Sequence, residues 1–163
     1  EKNLICSFGA SVYEDSYIPE SILKNLDFLQ VPYSLFNRDF EKTDLFLKSK
    51  KYNVDLQVRS IFCQGLILCK PDKLPNWILN SDKKIIEEIN LLLNKKTYSI
   101  LEFACSFIKK KEWIDSVVIG VTSSKELREI IDAFSLEKKI KNEKINDLCQ
   151  DLSKKIKDPR EWN

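Results

Sequence analysis

The sequence predicts an α/β fold, half of a (β/α)8 TIM barrel built from four parallel strands with covering helices, and three observations predict it. Four short apolar runs are each followed by residues at helical spacing, an order that calls for parallel strands joined by right-handed crossovers. Gln30, Arg59 and Gln64 stand near the C-terminal ends of these runs, which suits a barrel whose site is built at that rim. A full eight-stranded barrel takes roughly 250 residues, and this chain has 163.

Taken in order, Leu4–Ser11 reads as the first strand, with Gly9 near its end, and Tyr13–Tyr17 as a polar turn. Pro19 and Glu20 suit the first turn of a helix that carries Ile22, Leu23 and Leu26 inward. Asp27–Tyr33 is the second strand, in which Pro32 stops further pairing. A loop through Asn37 and Arg38 leads to a helix over Phe40–Ser49 and then to the third strand, Val54–Phe62. There Leu56 and Val58 point to one face and Gln57, Arg59 and Ile61 to the other. Leu66–Leu68 continues apolar until Pro71 and Asp72 break the run. Beyond the loop Leu74–Trp77, a helix from Ser81 presents Ile85, Ile86, Ile89, Leu92 and Leu93 as one stripe. Ser99 with Glu102 forms a capping-box pattern ahead of Leu101, Ala104, Phe107 and Ile108.

The fourth strand and its helix occupy Asp115–Phe134. Val117, Val118, Ile119 and Val121 read as a buried strand with Gly120 near its exit, and Ser123 with Glu126 is a second capping-box pattern. A strand therefore runs straight into a helix N-terminus, where unpaired N–H groups and the helix dipole favour an anion and a glycine allows close approach. Lys125 and Arg128 add cationic reach. A last helix carries Ile145, Leu148, Cys149, Leu152 and Ile156 before the tail Asp158-Pro159-Arg160-Glu161-Trp162.

Residues 1–163 form a single domain, 43% hydrophobic and 32% charged. Lys plus Arg number 27 against 25 for Asp plus Glu, a balance that points to neither nucleic acid nor an anionic membrane. Lys109-Lys110-Lys111 reads as a solvated cap at a helix C-terminus. No apolar run is long enough to span a bilayer, and EKNLICSF lacks the order of a secretion signal, so the chain reads as cytoplasmic. Of the five cysteines, all but Cys149 lie in apolar strands or helices and read as small buried hydrophobes. There is no histidine, which removes the commonest general base and zinc ligand, and no metal is expected.

Four motifs then carry a resemblance in register: Gly9-Ala10-Ser11-Val12-Tyr13, Gln30-Val31-Pro32-Tyr33, Val58 through Leu66, and Ile119 through Leu127. From Leu4 to Trp162 the chain resembles the aldo/keto reductases, NADP(H)-dependent oxidoreductases built on a (β/α)8 barrel, and matches their second half, strands five to eight. The resemblance implies that Ser11 and Gln30 hold the nicotinamide carboxamide, that Ser60, Gln64 and Gly65 lie along the pyrophosphate, and that Thr122, Ser124, Lys125, Glu126 and Arg128 grip the adenosine and its 2′-phosphate. Gly120 leaves room beside them. Arg59 stands where an aromatic ring commonly lies under the nicotinamide, Val12 where an asparagine often sits beside the carboxamide serine, and Ile130 where an asparagine would reach the adenine. Arg59-Ser60-x-Phe62-x-Gln64-Gly65 and the tail Asp158-Pro159-Arg160-x-Trp162 look like a bacterial branch associated with cell-surface sugars, which suggests a sugar-like carbonyl substrate.

The family's hydride chemistry uses an Asp, a Tyr acid, a Lys and a His from the first half of the barrel. None is expected here, and Tyr13, Tyr17 and Tyr33 read as rim or core packing. The expectation is therefore a cofactor-binding half that does not turn over alone. Two other readings follow from the residues. Four parallel strands leave two open edges and an uncovered face expected to be apolar, so two copies could close one barrel as a homodimer. The sites around Ser60 and Thr122 could also serve a plain nucleotide-binding module.

Overall fold

A computed structural model describes residues 4–95, 98–136, 140 and 142–162; Glu1–Asn3 of the N-terminal segment read above lie outside them. Among the described residues β1 (Gly9–Ser11), β2 (Phe28–Pro32), β3 (Asp55–Arg59) and β4 (Ser116–Val117) form one parallel sheet in the order β1-β2-β3-β4. The helices α1 (Glu20–Leu23), α2 (Asp44–Lys51), α3 (Asn80–Asn94), α4 (Ile100–Lys109), α5 (Ser124–Ser135), α6 (Glu143–Gln150) and α7 (Lys154–Lys157) lie between and after the strands. Consecutive parallel neighbours with helical returns make this a partial (β/α) barrel, as expected.

Both outer strands are shorter than their apolar runs. Pairing starts where Asp27 donates its N–H to Phe8 O and accepts from Phe8 N–H, so Leu4 and Ile5 remain outside the sheet and exposed. At the other edge Val118 N–H still bonds Val58 O at 2.8 Å, but Val118 and Val121 are partly exposed rather than buried, because among the described residues nothing pairs beyond β4. Gly9 is required for a close approach: a Cβ there would sit on Phe28 O and the Phe28 ring.

β2 and β3 alternate as expected, with Leu29, Val31, Leu56 and Val58 fully buried in the one hydrophobic cluster. The opposite face is not apolar. It carries Ser11, Gln30, Gln57, Arg59 and Ser116, the polar residues that interleave with the buried ones. Ile61 does not join that face. Ser60 has φ +57, which turns the chain and sends Ile61 into the core.

Several elements divide where side chains compete for the backbone. The helix expected over Phe40–Ser49 is a 3-10 turn (Asp39–Lys42) followed by α2, because Thr43 accepts Phe46 N–H and starts a new helix. Leu66–Leu68 is a 3-10 turn rather than more strand. The last helix breaks after Gln150 because Ser153 docks on Asp82: its N–H and hydroxyl both donate to that carboxylate, at 2.9 and 2.6 Å, and Asp82 is only 2% exposed. Ser99 and Glu102 close the full capping box at α4. Lys109-Lys110-Lys111 is not a solvated cap. Lys109 donates to Phe134 O and Leu136 O at the end of α5, Lys110 to Ile140 O, and Lys111 pairs with Glu41, so the run ties elements together.

The cysteine expectation changes at two positions. Cys149 is buried and Cys6 is exposed, whereas Cys63 and Cys105 are buried as expected and Cys69 is half-buried. Burial pushes the Cys63 thiol up to about 11 and those of Cys105 and Cys149 up to about 12, so all three stay protonated at neutral pH.

Candidate functional site: the carboxyl rim of the sheet

The parallel register aligns Ser11 with Gln30, Gln30 with Gln57, and Gln57 with Ser116. Their side chains form one hydrogen-bonded row across all four strands. Ser11 Oγ donates to Gln30 Oε1 at 3.1 Å, Gln30 Nε2 to Gln57 Oε1 at 2.7 Å, and Gln57 Nε2 to Ser116 Oγ at 3.1 Å. Gln30 thus keeps one N–H and one oxygen lone pair, enough for both groups of a carboxamide. Ser11 has spent its proton on Gln30 and can only accept.

Arg59 closes the row at its upper end. The next ladder rung between β1 and β2 would run from the N–H of residue 32 to Val12 O, and Pro32 has none. Arg59 Nη2 donates to that carbonyl instead, at 3.4 Å, and Arg59 Nε donates to Ser11 Oγ at 3.3 Å. The Arg59 guanidinium also lies over the Tyr13 ring, 4.7 Å from its centroid.

Beyond Arg59 the chain takes an unusual path. Ser60, Cys63 and Gln64 have φ of +57, +46 and +53, and Gly65 has +89. Each non-glycine residue held there costs on the order of 1 kcal/mol, and such strain collects at ligand-binding loops. Buried anchors hold it: Cys63 Sγ lies 3.0 Å from Ser34 Oγ, which also accepts Phe36 and Asn37 N–H.

This loop and the start of α5 enclose a cleft of about 460 Å³. Arg59, Ser60, Gln64, Gly65, Gly120, Thr122 and Glu126 line it together with Ile61, Phe62, Leu68, Val118 and Ile119. Nothing lies within 4 Å of where a Cβ would sit on Gly65 or Gly120, so both positions leave the cleft open. Seven of the twelve residues expected at a cofactor site therefore share one concavity, and Ser11 and Gln30 join it through Arg59. Ser124, Lys125 and Arg128 stand exposed on α5 outside the lining. Ile130 cannot reach a ligand, since it is 2% exposed in the core.

The helix cap differs from the expected box. Ser123 accepts Glu126 N–H at 3.2 Å, but Glu126 turns back to Thr122, accepting its N–H at 2.8 Å and its hydroxyl at 3.0 Å. The Thr122 backbone N–H, then its hydroxyl, hold the Glu126 carboxyl below its ordinary value. The helix start thus presents hydroxyl-binding carboxylate oxygens to the cleft, with cations on its outer side.

Of Tyr13, Tyr17 and Tyr33, Tyr33 is core, Tyr17 is 84% exposed, and Tyr13 sits on the rim between Arg59 and Arg160, whose guanidinium is 4.0 Å from its centroid. Gln57, Ser116, Tyr13 and Arg160 were not marked as site residues by the sequence. The alternation around Leu56 signalled that Gln57 faces away from the core, but the register that puts it beside Gln30 is a tertiary fact. Among the described residues no group of His, Cys, Asp and Glu could hold a metal, and no helix is long and apolar enough to cross a membrane.

The family model of the aldo/keto reductase family matches residues 6–150. No curated protein matches the chain. The matched span contains all four strands, the strained loop after β3 and the capped start of α5, and with it the chain belongs to the aldo/keto reductase family.

Proposed function

We propose that this chain is the NADP(H)-gripping half of an aldo/keto reductase barrel, equivalent to strands five to eight, and that it reduces no carbonyl by itself. The cleft carries this reading, because it gathers Ser60, Gln64, Gly65, Gly120, Thr122 and Glu126 beside a row of amides able to read a carboxamide. Ser11 Oγ accepts the carboxamide N–H and the free Gln30 N–H donates to its oxygen. The Ser60–Gly65 loop borders the pyrophosphate, Glu126 accepts from the ribose, and Lys125 and Arg128 meet the 2′-phosphate from the outer side of α5. Bound NADPH supplies a hydride to a carbonyl carbon. With no histidine among the 163 residues, the proton chemistry of the family falls to residues outside this set. The Arg59–Gly65 string and the tail support a bacterial enzyme and a sugar-like carbonyl substrate. Free thiols without a disulfide among the described residues fit a reducing, cytoplasmic setting.

Titration of NADPH fluorescence tests the grip, with saturable binding at micromolar to millimolar cofactor as the expected result. No NADPH oxidation is expected with a panel of aldehydes and sugars, and a steady rate from clean protein contradicts the second part.

One observation favours self-association as a further reading. Both sheet edges are open, and Leu4, Ile5 and Phe8 at one edge and Val118, Val121, Leu127 and Ile131 at the other are exposed. Two copies pairing β4 with the partner's first strand would cover both sets while leaving the polar face inside. Light scattering at micromolar concentration is expected to give a dimer mass on this reading, and a monomer mass removes it.

A further inference from the structure

Arg160 sits in the tail, far in sequence from the rim, yet its guanidinium is fixed there by three carboxylates. Asp158, 3% exposed, takes Arg160 Nε at 2.9 Å and Nη2 at 2.8 Å and also accepts its backbone N–H. Arg160 Nη1 donates to Asp15 Oδ1 at 3.1 Å, and Nη2 is 3.9 Å from Glu14 Oε1. Trp162 stacks on Trp77, centroids 4.9 Å apart, and anchors the end of the tail. The motif so held brings Arg160 over the Tyr13 ring, the same ring that carries Arg59.

Two guanidiniums on one ring repel unless one is neutralised, and Arg160 is the neutralised one. Among the described residues Arg59 has no carboxylate partner; its guanidinium donates to Ser11 Oγ and Val12 O and lies over the Tyr13 ring. Its orientation therefore depends on where that ring stands.

We propose that Arg160 is a positioning residue for the nicotinamide end of the cleft: it fixes the Tyr13 ring, the ring fixes Arg59, and Arg59 holds Ser11 Oγ as a pure acceptor. The relay rests on the cofactor reading above for its consequence, and on the geometry alone for its existence. A freed Arg59 leaves Ser11 Oγ held by Gln30 alone, so its direction toward a carboxamide loosens, while the adenosine end of the cleft is untouched.

The test uses the full chain with Arg160→Gln and Tyr13→Leu, the second of which keeps every contact of Arg160 with Asp158 and Asp15. NADPH and 2′-phospho-ADP-ribose, which lacks the nicotinamide, are each titrated. Both variants are expected to weaken NADPH by about tenfold, the scale of one cation–π contact, and to leave 2′-phospho-ADP-ribose within about twofold. Equal losses for the two ligands, or none for either, overturn the proposal, since a merely structural tail moves both together. The Arg59 Nε–Hε resonance, which the ring current of the adjacent Tyr13 should shift in the parent protein, is read alongside and is expected to move in both variants. If the parent binds neither ligand the cofactor reading fails, and the resonance decides the relay: movement in Arg160→Gln sustains it, and an unmoved signal overturns it.

Discussion

Replacing Lys125 and Arg128 together with glutamate is expected to weaken NADPH binding at least about a hundredfold, the loss of two charge-assisted contacts at roughly 1.5 kcal/mol each. Both side chains stand on the exposed side of α5, and the one ion pair there among the described residues, Lys125 with Glu129 at 3.9 Å, is a solvent-exposed i, i+4 pair worth little to folding. Glutamate at position 125 lies in the first turn of α5 and suits its dipole, and the like-charge i, i+4 pairs made with Glu129 and Asp132 cost only about 0.2–0.5 kcal/mol each, so the fold should hold and the loss read as binding. NADH, without the 2′-phosphate, should lose far less. Equal losses for NADPH and NADH would move the phosphate away from α5, and an unchanged NADPH affinity would remove the anion site.

Tyr33→Ala is expected to cost about 3–5 kcal/mol of stability, the range for emptying a packed aromatic site. Tyr33 is fully buried at the end of β2, stacked on Phe107 at 5.8 Å and edge-on to Trp113 at 4.8 Å. Trp113 in turn meets Phe40 and Phe46 and donates its Nε1–H to Glu41 at 2.7 Å. Removing the ring therefore loosens the contact of β2 with both α2 and α4. The hydroxyl contributes nothing comparable: it is buried, no well-formed hydrogen bond reaches it, and burial, then the Glu41 carboxylate it faces, push the phenol far above its ordinary value. Tyr33→Phe should stay within about 1 kcal/mol of the parent, because only a weak contact with Glu41, a carboxylate already held by Lys111 and Trp113, is removed. Urea unfolding of the two variants checks the contrast, and similar losses in both would mean that the contact of the hydroxyl with Glu41, not the ring, carries the stability.

What could be read from residues alone follows from periodicity and local chemistry. The interleaving of Leu56 and Val58 with Gln57 and Arg59 announced a two-sided strand, and Ser99 with Glu102 announced a cap, since each signal is contained within a few residues. Edges were illegible, because Leu4–Ser7 and Ile119–Val121 look like strand until one knows that, among the described residues, no neighbour pairs with them. The break before Ser153 was hidden as well: it is made by Asp82, 71 positions away. The site divides the same way. Ser60, Gln64, Gly65, Gly120, Thr122 and Glu126 belong to contiguous motifs and meet in one cleft. The Ser11–Gln30–Gln57–Ser116 row and the arginines on Tyr13 arise from register and from the path of the tail, which no local pattern encodes. Glu126 shows the limit most plainly, since the capping-box spacing is present but its carboxylate chooses Thr122 over Ser123.

Mapping of NADPH onto the protein by amide chemical shifts tests the central claim most directly. The predicted result is a saturable set of shifts at Ser60, Gln64, Gly65, Gly120, Thr122 and Ser124, with smaller ones at Ser11 and Gln30. Shifts confined to other surfaces, or none up to millimolar cofactor, would contradict it.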